Sequence, residues 1–344
     1  MSVPFSDMCK NSPSSLNQRL VQQARPQLVE LSTQLDTALR WLVDENRVRD
    51  CLELLFTSLQ TLKMELDEEQ WQHCVQLCRS HPVLTVLHED PFTHRAFYKP
   101  RRYAGDAVML DYIYGKEDYW PLPECTDLGR QIFEYTTLAP ASAGVRARRG
   151  YIADVLDLAA FEVTRPHVLS IAAGHFREAE MSAAIRRRRF GRIAALDADP
   201  QSLKEVESRY GRYGVETIAE PLTSLLSGKV QAGQFDLIYS LGLFDYLNAK
   251  IGRRLVSKAF DMLRPGGRLV VANFLPGIHD IGYMEAIMDW KLIYRTRQEM
   301  IGLTEGIAEE EIQNVSLESE ENNNIIFMTV RRRNDTESPE KNWS

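Results

Sequence analysis

Cysteine is scarce in this chain, and its placement builds nothing. Five occur among 344 residues: Cys9, Cys51, Cys74, Cys78 and Cys125. The number is odd, and the spacing matches neither a disulfide framework nor a zinc site. Cys74 and Cys78, four apart on a predicted helix, read as two partly buried thiols. No metal site is expected, and a reducing compartment is implied. Positive charge is also short: 41 Lys and Arg stand against 48 Asp and Glu, a net of −7. Duplex-binding proteins more often carry a basic surplus, so a small-molecule or protein substrate is favoured and no nucleic-acid partner is expected. Long apolar runs are missing as well. No segment reaches the ~18 residues of a membrane span, and MSVPFSDMCKNSPSSLNQ at the start has no apolar stretch long enough for a signal peptide. The expectation is a cytoplasmic protein without a membrane span.

What is present is ordinary globular material, 44% hydrophobic and 26% charged, long enough for two structural units. Residues 1–13 read as a disordered lead. From Ser15 to about Leu66, leucines recur at three- and four-residue steps apart from one longer gap: Leu16, Leu20, Leu28, Leu31, Leu35, Leu39 and Leu42, then, after Val48, Leu52, Leu55, Leu59 and Leu62. That period predicts helices. Asp67 with Gln70 three residues on opens a third, which ends before His81–Pro82. Residues 90–115, DPFTHRAFYKPRRYAGDAVMLDYIYG, interleave aromatics with charges. They suit a lid over a polar ligand, or a loop that merely packs on the core. Residues 121–129 read as a connector, and 141–158 as a helix carrying Arg146, Arg148 and Arg149.

From His167 the period changes. Strands are predicted over 167–173, 192–196, 215–218, 235–240 and 267–274, with helices over 179–189, 199–210, 222–227 and 250–263 between them. Steady alternation signals a parallel sheet with helices on both faces. A helix over 283–300 follows, then strands over 312–319 and 325–331. Glu320–Asn324 between those strands is turn chemistry, so the last strand is predicted to run antiparallel. The arginine run 186–189 spreads around a helix and reads as a solvated helix end rather than an RNA-binding patch.

Four segments of this region carry chemistry. In VLSIAAGHFRE, Gly174 follows a strand and is predicted to open a helix, whose free amides would face a ligand. Asp197 ends the next strand, 23 residues on. It can accept both hydrogen bonds of a ribose diol or serve as a helix cap, a role Asp199 also fits. Strand, glycine, helix, strand and acid together suggest an adenosine-containing ligand without separating one cofactor from another. FDLIYSLGLFDYL ends a strand at Ser240. LRPGGRLVVANF places a tight Pro-Gly-Gly turn before a strand that ends near Asn273, an amide able to orient a substrate or to form a turn.

In order and spacing these four motifs resemble the class I S-adenosyl-L-methionine (SAM)-dependent methyltransferases, over about residues 140–331. The glycine-poor IAAGHFRE departs from the usual two or three glycines. KPRRYAGDAVMLDYIYG and YMEAIMDWKLIYRTRQEM are similar to stretches of the bacterial 3-hydroxypalmitic acid methyl ester synthase-like group and of SAM-processing enzymes in natural-product pathways. The resemblance implies a doubly wound, Rossmann-like α/β fold. Its seven-stranded sheet closes with an antiparallel hairpin and follows an N-terminal helical cap. The boundaries implied are 1–140 for the helical domain and lid, 141–331 for the SAM-binding domain, and 332–344 for a disordered tail.

SAM is the cofactor so implied. Ala172, Ala173 and Gly174 would line its methionine and ribose. Asp197 would hold the ribose hydroxyls, Ala198, Pro221 and Leu222 would sit near the adenine, and Ser240 and Leu241 would lie beneath the methionine. Tyr103 and Asp106 would close from the lid side. The catalytic candidates are Tyr103, Asn273 and Arg149. Arg149 and Arg295 are candidates to bind an acidic acceptor, with surface salt bridges as the alternative for both. His175 reads as a packing or backbone-contact residue. The activity implied is methyl transfer to a small molecule, such as a fatty or hydroxy acid carboxylate giving a methyl ester. An enzyme that attacks another carbon of SAM is a second reading. An NAD(P)-dependent oxidoreductase is a third, against which the closing hairpin argues. The N-terminal helices are candidates for a homodimer contact.

Overall fold

A computed structural model describes residues 25–116, 119, 121–230 and 232–334. The expected lead over 1–13, the leucines at 16 and 20, Cys9 and most of the expected tail lie outside them. The helices are α1 (Arg25–Val43), α2 (Val48–Glu65), α3 (Glu68–Ser80), α4 (Val83–Leu87), α5 (Pro91–Tyr98), α6 (Ala107–Tyr114), α7 (Asp127–Thr136), α8 (Pro140–Glu162), α9 (Ala183–Arg186), α10 (Pro200–Tyr210), α11 (Leu222–Leu226), α12 (Ala249–Asp261), α13 (Ile281–Ala286) and α14 (Arg297–Ile301). The strands are β1 (His167–Ile171), β2 (Arg192–Asp197), β3 (Val215–Ala219), β4 (Phe235–Ser240), β5 (Leu263–Phe274), β6 (Ile312–Ser319) and β7 (Ile325–Arg332).

The chain forms two compact units that share its length unevenly. Among the described residues, one holds those of 25–105, 121–139 and 279–291, the other those of 106–120, 140–278 and 292–334. A single boundary near residue 140 does not describe this division. Two segments account for the difference. Residues 106–120 belong with the sheet, because Asp111 and Tyr119 bond to residues following β1. Residues 279–291 belong with the helices, because Gly282 lies against α2. A Cβ on Gly282 would stand 2.4 Å from the Leu59 carbonyl oxygen, so only glycine permits that approach. Trp71 Nε1 donates to Glu285 at 2.8 Å, and the Phe56 and Tyr283 rings stack at 4.4 Å.

The leucine period of the helical unit is its core: Leu31, Leu35, Leu52, Leu55 and Leu59 are fully buried. The Asp67–Gln70 signal is realised as a capping box, two orphan helix-end groups satisfied reciprocally. Cys51, Cys74 and Cys78 are fully buried free thiols, more enclosed than the partly buried reading held. Burial raises them to about 12, about 11 and about 12 respectively, far from the thiolate form that reacts. In native protein a thiol reagent is therefore expected to modify Cys125, which is only half-buried, and to reach these three only after denaturant is added. Rapid native labelling of Cys74 or Cys78 would contradict the packing.

The other unit carries one seven-stranded sheet in the order β3-β2-β1-β4-β5-β7-β6. All pairings are parallel except β5–β7 and β6–β7, so the expected closing hairpin is present. Strand side chains alternate between faces, and both faces are buried. Leu169, Ala194 and Ile238 face α12 and residues 300–303, while Val168, Ile193 and Tyr239 face α8 and α10. Two buried faces explain why these strands read as continuous apolar runs.

Three local expectations are corrected. The helix expected over 179–189 is a short 3-10 turn, Arg177–Glu180, followed by the four-residue α9. Ser182 interrupts it with an extended backbone, and Asp157 of α8 accepts from the Ala183 and Ala184 amides. Arg186–Arg189 are exposed there, as the solvated-end reading holds. The helix expected over 283–300 is broken into α13 and α14. Asp289 is left-handed (φ 47°), and the Ile293 and Arg295 amides bond to the Asp245 and Phe274 carbonyls instead. Pro-Gly-Gly is not a turn before β5 but a bulge inside it: Phe235 pairs Leu263, while Leu237 pairs Arg268.

Candidate functional site

The strand order reverses between β1 and β4, where parallel α/β sheets place their ligands beyond the strand C-termini. Beyond β1 the backbone is bent at Ala172 (φ 56°) and Gly174 (φ 54°). A left-handed alanine costs roughly 1–2 kcal/mol, and such strain concentrates where a ligand is held. The bend is tied to β2. The Ala173 amide donates to the Leu196 carbonyl at 3.0 Å, and the Gly174 amide donates to Asp197 Oδ2 at 2.8 Å. Asp197 Oδ1 accepts from the Asp199 amide, also at 2.8 Å, and the Asp197 carbonyl accepts from the Glu220 amide beyond β3. One aspartate thus joins the ends of three strands. Burial pushes its carboxyl above the ordinary value, against the pull of the Asp199 and Gly174 amides. The two oxygens offer about four lone-pair sites, so capacity remains beyond the backbone amides they accept.

Ala198 is exposed beside Asp197. Pro221 caps α11, with Leu222 its first residue. From β4, Ser240 donates its hydroxyl to the Ile171 carbonyl at 2.9 Å, locking the β4 end to the β1 end. The Leu241 carbonyl accepts from Arg148 Nη1 at 3.0 Å. The predicted residues Ala172, Ala173, Gly174, Asp197, Ala198, Pro221, Leu222, Ser240 and Leu241 therefore all sit at the C-terminal ends of β1–β4. The α-helix expected to open at Gly174 is absent, and the 3-10 turn Arg177–Glu180 follows this loop instead.

The remaining candidates are placed differently. Asn273 is fully buried. Its amide nitrogen donates to the Phe274 and Ile293 carbonyls, and its oxygen accepts from Arg295, so it shapes the loop after β5 rather than orienting a substrate. Arg295 is corrected in the same way. It is buried and bonds to the Phe244 and Leu247 carbonyls, so it is neither a surface salt bridge nor a free anion site. Asp106 caps α6 through the Val108 and Met109 amides. Tyr103 lies in the helical unit and is 39% exposed. The stretch 90–115 is not one lid, since α5 and α6 belong to different units. His175 is buried and bonds to Asp111.

Arg149 on α8 lies with its guanidinium 4.1 Å over the Tyr114 ring and donates to the Tyr119 hydroxyl at 3.3 Å. Its Nε is buried and has no hydrogen-bond partner among the described residues. Arg148 and Glu178 were not singled out from sequence, and Asp245 was expected only as one of the residues after the β4 strand end that face the ligand. Arg148 is 5% exposed and stands 3.6 Å from Asp245. Its signal, an arginine one residue from Arg149, does not tell which side of a helix faces a sheet. Glu178 is buried and accepts from the Tyr239 hydroxyl at 2.7 Å. Asp245 lies past the end of β4 and accepts from the Phe274 amide.

Burial raises Asp245 to about 7, with Arg148 and the Phe274 amide opposing. The unfolded carboxyl titrates near ~3.9, so between about pH 4 and about pH 7 the folded state holds more protons than the unfolded state. Stability then falls as pH rises across that window. Asp90, raised to about 6 by burial, acts with the same sign. Asp245→Asn is expected to flatten the melting-temperature slope between pH 4 and pH 7 without abolishing it. An unchanged slope would show that Asp245 does not titrate there.

A methyltransferase-domain family model matches residues 168–267, which span β1 through the first part of β5. No curated protein matches the chain. Among solved structures, a protein from Bordetella parapertussis described as a possible exported protein is similar at 15% identity and a TM-score of 0.53. The match covers 96% of this chain and 100% of that chain. N-methyltransferase NodS from Bradyrhizobium japonicum WM9 with S-adenosyl-L-homocysteine is similar at 17% identity, covering 66% of this chain and 97% of that chain, TM-score 0.41. Magnesium protoporphyrin IX methyltransferase from Synechocystis PCC 6803 with the same ligand is similar at 11% identity, covering 66% and 95%, TM-score 0.44. No helix among the described residues is long and apolar enough to cross a membrane. The family match thus lies within the sheet-bearing unit, whose seven strands form a doubly wound, Rossmann-like α/β sheet with a closing antiparallel hairpin.

Proposed function

We propose that this domain binds SAM beyond the ends of β1, β2 and β4 and transfers its methyl group to a small carboxylic acid. One observation carries the reading: Asp197, at the end of β2 beside the topological switch, accepts the Gly174 amide while its carboxylate retains lone-pair capacity for the ribose. Ala172–Gly174 would face the ribose and methionine, Ala198, Pro221 and Leu222 the adenine, and Ser240 and Leu241 the methionine from below. SAM supplies a methyl already activated by its positive sulfur. The protein's task is then to align the acceptor and exclude water.

Arg149 supports the acid class. Its buried Nε–H has no acceptor among the described residues, and no carboxylate pairs with its guanidinium there. An acceptor carboxylate would satisfy both needs through a charge-assisted bond. A carboxylate is ionised at neutral pH and attacks without a general base. The O–CH3 bond forms as the S–CH3 bond breaks, and the leaving sulfur keeps the electron pair. Fatty and hydroxy acids, giving methyl esters, are the acceptors the sequence resemblance favours.

The test is incubation with methyl-labelled SAM and a panel of carboxylic acids, followed by mass identification of the products. Labelled ester with S-adenosylhomocysteine is expected. Methylthioadenosine instead would mean attack on another carbon of SAM. Tight NAD binding without SAM binding would replace the reading with an oxidoreductase.

A further inference from the structure

The loop proposed to receive the cofactor has one glycine and no α-helix directly after it, yet it holds three residues in the left-handed region: Ala172, Gly174 and Phe176, at φ 56°, 54° and 55°. Something outside the loop must impose that conformation, since two of the three carry side chains that disfavour it. The chemistry for doing so lies on α6, more than sixty residues earlier.

Asp111 is buried and faces the two residues that flank Phe176. Its Oδ1 accepts from Arg177 Nε at 2.7 Å, and its Oδ2 accepts from Arg177 Nη2 at 2.7 Å. His175 Nδ1 lies 2.7 Å from the same Oδ2. The arginine contact is a two-toothed fork, the geometry that fixes direction as well as distance. The side chains of Asp111, His175 and Arg177 are all essentially inaccessible to water. Burial pushes the Asp111 carboxyl up, but the bonds from Arg177 and His175 outweigh it and hold the group below its ordinary range. The fork is itself braced: Arg177 also donates to Glu205 at 2.9 Å, and its guanidinium lies 4.1 Å over the Tyr119 ring. At the other end of the loop, a Cβ on Gly174 would stand 3.4 Å from Ala107 Cβ, so α6 begins against that glycine.

We infer that Asp111 is a positioning residue for the cofactor: by clamping His175 and Arg177 it holds the Ala172–Phe176 loop in the left-handed form that aims the Gly174 amide at Asp197. The clamp replaces the additional glycines and the helix that this segment lacks. The inference rests on SAM being the ligand of that loop.

The experiment compares wild-type full chain, Asp111→Asn and Leu255→Ala. Leu255 is buried on α12, in the core on the sheet face opposite α8, and serves as a control for general loss of stability. SAM affinity is measured by calorimetry at a temperature where all three are folded, and amide hydrogen exchange of residues 172–178 is measured without ligand. Asp111→Asn is expected to weaken SAM about tenfold or more and to speed exchange in that peptide. Leu255→Ala should melt earlier yet keep its SAM affinity. If Asp111→Asn binds and exchanges as wild type does, or if Leu255→Ala loses as much affinity, the positioning role is wrong. If wild type does not bind SAM, the cofactor reading fails by itself, and the clamp is then decided by exchange alone: faster in Asp111→Asn supports it, unchanged overturns it. Should Asp111→Asn not fold, His175→Ala removes one of the three contacts. An affinity loss of about threefold supports the clamp, and unchanged affinity and exchange overturn it.

Discussion

Asp197→Ala is expected to lose SAM affinity by about a hundredfold or more. Two losses add. A carboxylate bonded to both ribose hydroxyls makes two contacts to a charged group, each worth about 1.5–3 kcal/mol, and 1.4 kcal/mol is about tenfold in affinity. The substitution also strips the acceptor from the Gly174 and Asp199 amides, so the loop beyond β1 is released from β2. Calorimetry with S-adenosylhomocysteine and its 2′-deoxy counterpart separates the two losses. Wild type should prefer the hydroxylated ligand strongly, because a site built around a hydroxyl rejects the analogue lacking it. In Asp197→Ala that preference should collapse while residual binding persists through the adenine. Retention of the full preference would remove Asp197 from the ribose.

How far the sequence revealed this site depends on how local each signal is. β4 and β6 are realised over the predicted residues, and the other strands within a few residues, because two buried faces or one hairpin turn leave their mark in consecutive residues. Gly174 and Asp197 were legible for the same reason: each stands at a strand end, and the strand ends of a parallel sheet converge by topology alone. Arg295 and Asn273 were misread because their partners are carbonyls brought by chain folding, at Phe244, Leu247 and Ile293. No residue type or spacing announces a carbonyl. Asp111 was invisible for another reason: its partners, the His175 and Arg177 side chains, lie 64 and 66 residues away. The missing helix after Gly174 is subtler. Residues 179–189 have helical composition, and the break comes from Asp157 on another helix capturing the Ala183 and Ala184 amides. A tertiary contact overrode a weak local preference.

The departures share a physical origin. Residues 292–296 give up helix, and in exchange the Ile293 and Arg295 amides bond to the Asp245 and Phe274 carbonyls. The Arg295 side chain adds donation to the Phe244 and Leu247 carbonyls in the same loop.

Arg295→Met is accordingly expected to act on stability rather than on acceptor recognition. The guanidinium satisfies the Phe244 carbonyl at 2.6 Å, the Leu247 carbonyl and the Asn273 side-chain oxygen. Methionine fills comparable space and donates nothing, leaving buried acceptors unmet at about 1–3 kcal/mol each. The expected loss is about 3–5 kcal/mol. For a unit of this size that lowers the melting temperature by roughly 10 °C, at about 2–4 °C per kcal/mol. Asp245 adds to the effect, because Arg295 is one of the two charges that favour its ionised form, and the loss should therefore be larger at pH 8 than at pH 5. Had Arg295 bound an acidic acceptor, the variant would melt with wild type and show a raised acceptor KM. A melting temperature within about 2 °C of wild type, less than 1 kcal/mol on that scale, would favour the acceptor role and undo the structural one. The Arg149→Met variant is the natural companion. Its guanidinium makes no carboxylate pair among the described residues and leaves no buried carbonyl behind, so the same substitution there should spare the melting temperature and cost acceptor binding.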